Sequence, residues 1–523
     1  MEDPRKSMKP HPWLYAFVFV TGAAVMTLEM AASRFAAPFF GTSQIVWANI
    51  IGLIMIALSL GYWLGGRLAD RYPRWHLLFA AVGMAGLLAC AIPWTGPWVF
   101  HQLQAGITGT PIHIIVFSFF GILIMFAPPV FLLATVSPFV LRLSGRDVSD
   151  LGKVAGALYA WSTVGSIAGT FVTAFVLIPR LGTHMTIVLT SGALIVSAAM
   201  GLTAVSPRRW WWSWLLLLVP LVTALGGPRA VKPVQGLLFE TETEYQYVQV
   251  AALPDGSTAL IYNEGGGVQS LRRPGDALVP RDYYSYMTLL PYLSGNPSSD
   301  RMEGVVIGAA GGTILHLIDH YDQGSFPGLR LEGVEIDPVV AKLGPRYFGL
   351  NPARTPIRVA DGRAFVTASQ HTWDFAVVDA YSQQIYIPFH LATKEFFSTL
   401  ADHLTTRGVM AFNVNAVSPD SPLLLSLLKT VQEVFPHFVV IRVPDSYNYL
   451  VIAGRSPLPT EALRALGMGR SPVSSIAREA LAHLWRPTPE QLKRGMVLTD
   501  DRAPVEYLTD SMIWDVAGRG ISP

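Results

Sequence analysis

Two hydrophobic patterns divide this chain. From Trp13 to about residue 227, apolar residues run in long, nearly unbroken stretches. Beyond Phe239 they shorten to runs of a few residues separated by polar and turn-forming segments. A helix that crosses a bilayer needs roughly 20 mostly apolar residues. The first pattern supplies seven such segments, at about 13–37, 45–66, 76–95, 112–142, 154–178, 183–205 and 210–227. Pro128-Pro129 interrupt the fourth, which predicts a kinked, tilted helix or a tight helical pair. The first segment is too long for a signal-peptide core and is followed by further apolar segments, so it is expected as an uncleaved span. In the second pattern, YQYVQVAAL and TALIYNEGGG flank PDGS, a turn in which Asp-Gly supplies a positive φ, and this predicts a hairpin. Residues 281–295 form a Tyr-rich helical stretch. From 304 to 455 apolar β-runs (VVIGA, LEGVEI, IRVA, FAVVDA, GVMAFNV, FVVIRV, YLVIAG) alternate with helices. That alternation predicts a parallel or mixed sheet covered on both faces. Residues 1–230 are therefore expected as a transmembrane domain of about seven helices, 239–295 as a small β subdomain, and 296–523 as a doubly wound α/β domain.

Charge refines the membrane half. The whole-chain figures, 51% hydrophobic and 14% charged, average two unlike halves. Acids are few before residue 227, with Glu29, Asp70 and Asp147 among them, whereas acids outnumber bases in the soluble half. No basic run of the kind nucleic acid binding needs is present. Basic residues cluster at Arg5, Lys6 and Lys9, at Arg67, Arg71 and Arg74, at Arg142, Arg146 and Lys153, and at Arg208 and Arg209. With the fourth segment as one helix, every cluster falls on one side, which the positive-inside tendency makes cytoplasmic. Seven crossings would then put the soluble half outside the cytoplasm. If instead the Trp-rich last segment lay along the interface, that half would be inside. The expected location is the cell membrane, with the side of the soluble domain open. Glu29 and Arg34 lie within the first span, where ionisable residues are functional candidates or pair with a neighbour. Cys90 is the only cysteine, which excludes disulfides and a Cys-based zinc site.

Candidate chemistry concentrates between Gly304 and Ser382: GVVIGAAGGT, LEGVEID, VADGRAF, then DFAVVDAYS. Gly308, Gly311 and Gly312 follow a strand and allow a tight turn with a helix N-terminus near a ligand. Glu335 ends the next strand, where a carboxylate can accept both ribose hydroxyls. Asp361 and Gly362 end the third and would address a nucleoside base. Asp379 ends the fourth, where substrate would meet cofactor, and is the candidate general base.

The succession YQYVQV, GGGVQS, VIGAAGG, VEID, DGRAF and VVDAYS resembles the spermidine synthase (polyamine aminopropyltransferase) family over roughly residues 240–455. LEMAASRFAAPFFGTSQIVWANIIG, GYWLGGRLADRYPR and YAWSTVGSIAGTF resemble the membrane-fused spermidine-synthase-like proteins, whose helices loosely resemble major-facilitator segments. The resemblance implies a class I methyltransferase-like α/β fold with a small N-terminal β subdomain. It implies aminopropyl transfer from decarboxylated S-adenosylmethionine to an amine acceptor, with methylthioadenosine as product and no metal. By position, Gln246 and Gln269 match glutamines flanking the nucleoside, Glu335 the ribose ligand, Asp361-Gly362 the adenine site, and Asp379 the base. A homodimer is left open.

The acceptor side departs from the family. Gly311 stands where the family has an Asp that holds the donor's amine. Tyr283-Tyr284-Ser285 replace Tyr-His-Glu, and Ser382 replaces the second Asp of Asp-x-x-Asp. An ammonium without a counter-charge in a closed pocket is costly. Asp500 and Asp501, in VLTDDRAPVEYL, either supply that charge or make a local turn. His390 either lines the acceptor pocket or is structural, and Thr393 is expected as a helix N-cap. Two alternatives to aminopropyl transfer follow: a non-catalytic nucleoside- or polyamine-binding transport or sensing protein, and an S-adenosylmethionine-dependent methyltransferase. Asp70 with Arg67 and Arg71 resembles a major-facilitator gating loop, but the pattern has no second copy, which argues against a complete transporter.

Overall fold

The computed structural model describes residues 12–40, 44–105, 111–144, 151–226, 234–262, 267–294, 301–382 and 386–519. The basic residues Arg5, Lys6, Lys9 and Arg146, Asp147, and Gly265 and Gly266 lie outside the described residues. The chain divides into two units, Met1–Pro233 with Glu242–Tyr247, and Val234–Thr241 with Val248–Pro523.

The first unit is helical: α1 (Pro12–Phe40), α2 (Gln44–Arg71), α3 (Trp75–Ala105), α4 (Pro111–Met125), α5 (Ala127–Ala134), α6 (Val136–Ser144), α7 (Leu151–Val172), α8 (Ile178–Val205), α9 (Pro207–Trp210) and α10 (Leu218–Leu225). Among the described residues, five stretches are long and apolar enough to cross a membrane, 13–40, 46–71, 75–103, 127–144 and 152–205. The last is 54 residues long. A π-helical turn at Thr173–Leu177 interrupts it, and so does Gly182, at φ 76° and ψ 167°. It therefore spans two of the segments expected from sequence. The fourth expected segment is broken into α4, α5 and α6, with Pro128 in the first turn of α5, where a missing N–H costs nothing. The segment expected at 210–227 is not one long helix; a 3-10 turn, Trp211–Leu217, joins α9 to α10.

Small residues let the helices of this unit pack closely. A Cβ at Gly165 would lie 2.1 Å from the carbonyl oxygen of Phe19, and one at Gly169 2.4 Å from that of Ala23. Small residues four apart on α7 thus let α1 approach backbone to backbone. The Ser166 hydroxyl donates to the Gly22 carbonyl (3.2 Å) and that of Thr173 to Thr27 (2.9 Å). Phe35, Phe39, Phe40, Phe100 and Phe126 form an edge-to-face cluster inside. Met55, Trp98, Phe175 and Leu225 face outward. Arg34 donates to the carbonyls of Thr243 and Glu244, and Asp70 pairs with Arg142 at 3.0 Å.

The second unit holds two sheets. β1 (Leu237–Glu242), β2 (Tyr247–Ala252), β3 (Thr258–Tyr262) and β4 (Val268–Arg272) lie in sequence order. The β2–β3 turn has Gly256 at φ 81°, and Asp255 accepts the Ser257 N–H at 2.9 Å. The larger sheet comprises β5 (Met302–Ile307), β6 (Leu329–Glu335), β7 (Ile357–Val359), β8 (Trp373–Val378), β9 (Leu404–Asn415), β10 (His437–Arg442), β11 (Asn448–Gly454) and β12 (Leu484–Trp485), in the order β12-β10-β11-β9-β8-β5-β6-β7. β7, β6, β5, β8 and β9 are mutually parallel, while β11 runs antiparallel to both β9 and β10. This is a doubly wound sheet of the methyltransferase-like kind. Strand order reverses between β5 and β8, and ligands bind such sheets outside the carboxyl ends of the strands at that reversal. Apolar clusters on both faces bury Val305, Val306 and Ile307 and all of β8, which fixes where those carboxyl ends point.

Candidate functional site

The carboxyl ends of β5, β6 and β8 carry Gly308, Glu335 and Asp379. Gly308 sits at φ 82°, and a Cβ there would lie 2.5 Å from both the Ala380 Cα and the Asp379 carbonyl oxygen. Only glycine lets the β5 turn pass this close to the end of β8. The turn continues through Ala310, which holds φ 47° without being glycine. Such a conformation costs about 1 kcal/mol or more and persists where neighbours impose it. Here the Ala310 N–H donates to Glu335 Oε2 at 2.8 Å, and the Asp337 N–H donates to Oε1 at 3.0 Å. Glu335 thus ties the glycine turn to the end of β6, and its remaining lone pairs are left for hydroxyl donors. Burial pushes its carboxyl up to about 7, against the lowering effect of those two N–H groups.

Gly311 donates its N–H to Ser270 Oγ at 2.8 Å. A Cβ at Gly311 would meet Phe348 at 2.7 Å and Ser270 Cβ at 3.0 Å. The space an acidic side chain would need is occupied, so the sequence departure at this position is built into the packing around it. Gly312, at φ 83°, caps the helix Thr313–Asp322.

Asp379 is the centre of a polar network. Asn413 on β9 donates its Nδ2 to Asp379 Oδ1 at 2.9 Å, and the Tyr283 hydroxyl donates to Oδ2 at 2.8 Å. Tyr283 begins the short helix α11 (Tyr283–Tyr286), with its ring 4.0 Å from that of Tyr284. Tyr284 donates to the Val268 carbonyl, so its hydroxyl serves the small sheet. Burial pushes the Asp379 carboxyl up to about 7, with Asn413 and Tyr283 opposing the shift. The Tyr283 and Tyr381 phenols are raised by burial and then by the Asp379 charge, so both stay neutral at physiological pH.

Asp361 caps the helix Gly362–Ala368, with Oδ1 accepting the Ala364 N–H at 2.9 Å, and its Oδ2 lies 3.2 Å from His390 Nε2. Beside them, Arg363 makes a two-pronged ion pair with Asp500 at 2.7 and 2.6 Å, and Thr393 donates to Asp500 at 2.7 Å. The charge of Asp500 is thereby matched by a guanidinium, which holds its carboxyl below the usual range. Asp501 is exposed. Thr393 also caps the helix Lys394–Asp402. Ser382 pairs with Tyr386, whose hydroxyl donates to Asp510 at 2.6 Å. Gln269 lies on β4, half-buried. Gln246 belongs to the Glu242–Tyr247 segment of the helical unit. The structure thus gathers the glycine turn, Glu335, Asp379 and Tyr283 at the strand-order reversal, and groups Asp361, His390 and Asp500 around Arg363.

Sequence reasoning missed Asn413, Phe348 and Arg363. For Asn413 a signal existed: asparagine is depleted in strands, yet FNVN places two at the end of an apolar run. Among the described residues no cluster of three or more His, Cys, Asp or Glu is suited to a metal ion.

No protein-family profile matches this chain. A probable polyamine aminopropyl transferase of Bifidobacterium longum is 32% identical over 302 residues, 54% of this chain. The chain spans 65% of that relative's length. Polyamine aminopropyltransferase 2 of Aquifex aeolicus is 20% identical over 458 residues, covering 85% of this chain and 88% of its own. The crystal structure of a probable spermidine synthase from Corynebacterium glutamicum superposes with a TM-score of 0.39 at 19% identity, over 51% of this chain and 97% of that one. In sequence the chain is thus similar to the polyamine aminopropyltransferases.

Proposed function

We propose that this chain is a membrane-anchored transferase that moves an aminopropyl group from decarboxylated S-adenosylmethionine to an amine. The observation that carries the proposal is Asp379, recessed beside the glycine turn with its carboxyl at about 7. An amine attacks only when neutral, and in water its conjugate acid titrates near 10. Handing that proton to a carboxylate of pKa 3.8 would cost about 8 kcal/mol, and to one at about 7 about 4 kcal/mol. Burial of Asp379 therefore removes close to half of the penalty. In the step itself the amine nitrogen forms a bond to the propyl carbon attached to sulfur, and the C–S bond breaks. The electron pair leaves with methylthioadenosine, and the ammonium proton passes to Asp379. Glu335 would accept the ribose hydroxyls, Gly308 and Gly312 would let backbone approach the nucleoside, and Asp361 would face the base. Gln269 is assigned to the nucleoside side on family resemblance. Tyr283, Tyr284, Ser382 and His390 would line the acceptor side, with Asp501 at its rim.

The helical unit is assigned to the bilayer on its apolar stretches and outward-facing aromatic and aliphatic side chains. A second reading rests on Gly311. Because Phe348 and Ser270 fill the place of an acidic side chain, the site shows no dedicated counter-charge there for a donor amine. Methyl transfer from intact S-adenosylmethionine is therefore the competing activity. The purified chain, given isotope-labelled decarboxylated and intact S-adenosylmethionine with a panel of amines, distinguishes them. Methylthioadenosine with an aminopropylated amine is expected. S-adenosylhomocysteine would favour the second reading, and neither product alongside tight nucleoside binding would remove both.

A further inference from the structure

The Asp379 network does not stop at Asn413. Asn448, the first residue of β11, donates Nδ2 to Asn413 Oδ1 at 3.0 Å and to Asn415 Oδ1 at 2.8 Å. The Ser446 hydroxyl in turn donates to Asn448 Oδ1, and Ser446 Oγ accepts the Asn448 backbone N–H at 3.0 Å. Each link removes one freedom. An amide side chain has a donor end and an acceptor end that can exchange by a half-turn. Ser446 Oγ already accepts the Asn448 backbone N–H and turns its own proton to Asn448 Oδ1, which favours the orientation in which Asn448 presents its NH2. That NH2 occupies the acceptor end of Asn413, so Asn413 must present its own NH2 to Asp379. Asn413 is fully buried, and its backbone carbonyl accepts the Tyr381 hydroxyl at 2.8 Å, which leaves it no slack.

We propose that Asn448 is a positioning residue: the relay from Ser446 through Asn448 to Asn413 locks an amide donor onto Asp379 Oδ1 and so reserves Oδ2 as the oxygen that takes the substrate proton. With Oδ1 facing an N–H, a proton there would meet a donor head-on. At Oδ2 the partner is the Tyr283 hydroxyl, a rotor that can turn from donor to acceptor. The titratable groups facing Asp379 are the phenols of Tyr283 and Tyr284 from α11 and of Tyr381 from its own strand end. All three are neutral, so the relay sets the proton's position without a competing charge. The inference rests on the assignment of Asp379 as base for its catalytic meaning, but the relay itself can be measured without turnover.

The test is the protonation of Asp379 followed by difference infrared spectroscopy of carboxyl-labelled protein, with Asp379→Asn to identify the band. In Asn448→Leu the Asn413 amide is free to reverse and accept a proton on Oδ1, which stabilises protonated Asp379. Its midpoint should rise by about one pH unit, the size of a lost charge-assisted hydrogen bond. Ser446→Ala, in the turn before β11, should move it the same way by less. If both proteins bind nucleoside normally and the midpoint stays put, the relay is overturned. If Asn448→Leu does not fold, Ser446→Ala decides alone by the same criterion. A shifted midpoint in a chain that proves to have no transferase activity would uphold the relay and reject only the catalytic assignment.

Discussion

At the residue scale, the account turns on carboxylates whose surroundings give them different tasks. Asp379 and Glu335 are both held near 7 by burial, yet Glu335 has both oxygens engaged by backbone N–H groups while Asp379 faces an amide and a phenol. Asp379→Asn should therefore lower kcat by about 100-fold or more, the usual worth of a positioned base, and leave nucleoside affinity nearly unchanged. Glu335→Gln should do the reverse, raising the donor Kd in a calorimetric titration with a smaller effect on kcat. Gly311→Asp tests the occupied space. Its Cβ would sit 2.7 Å from Phe348, so the variant should lose thermal stability instead of gaining affinity for an aminated donor. The positions of Gly308, Glu335 and Asp379 were legible from sequence because each lies at the end of a β-run. Arg363 was not legible: its partner Asp500 lies 137 residues on, and only the folded chain brings them together.

At the scale of elements, the sheet followed from alternation, since short apolar runs separated by helices leave few topologies open. What the pattern could not give was the insertion of β11 between β9 and β10. A reversed strand carries the same apolar run as a parallel one, and its position depends on pairing partners distant in sequence. The helical unit shows the same limit. Long apolar stretches were evident, but the breaks at Gly182 and around α5 depend on local backbone geometry, and hydropathy does not record it. The α1–α7 interface makes a prediction here. Gly165→Leu would force a side chain into the Phe19 carbonyl, 2.1 Å from where its Cβ must stand. The detergent-solubilised protein should unfold or aggregate at markedly lower temperature. Gly52→Leu, on α2 with nothing within 4 Å of its Cβ position, should not.

For the whole molecule, pH links stability to the site. Three acids in the second unit are raised by desolvation: Asp322 to about 8, and Glu335 and Asp379 to about 7. Their ordinary values are 3.8 for Asp and 4.5 for Glu. The folded chain therefore holds more protons than the unfolded chain between roughly pH 4 and 8. Stability from these groups is fully present below that window and falls as pH rises through it. The melting temperature should be lower at pH 8.5 than at pH 5.5. Asp322→Asn, which removes the acid with the highest value, should flatten the decline without altering turnover. The same ionisation that costs stability is what the proposed chemistry requires, since a base must be deprotonated to act. The most direct test is the pH dependence of kcat/KM with decarboxylated S-adenosylmethionine, for the unaltered chain and for Asp379→Asn. The account predicts an acid limb with an apparent pKa near 7 that disappears in the variant along with most of the rate. A variant that retains both the limb and the rate would contradict it.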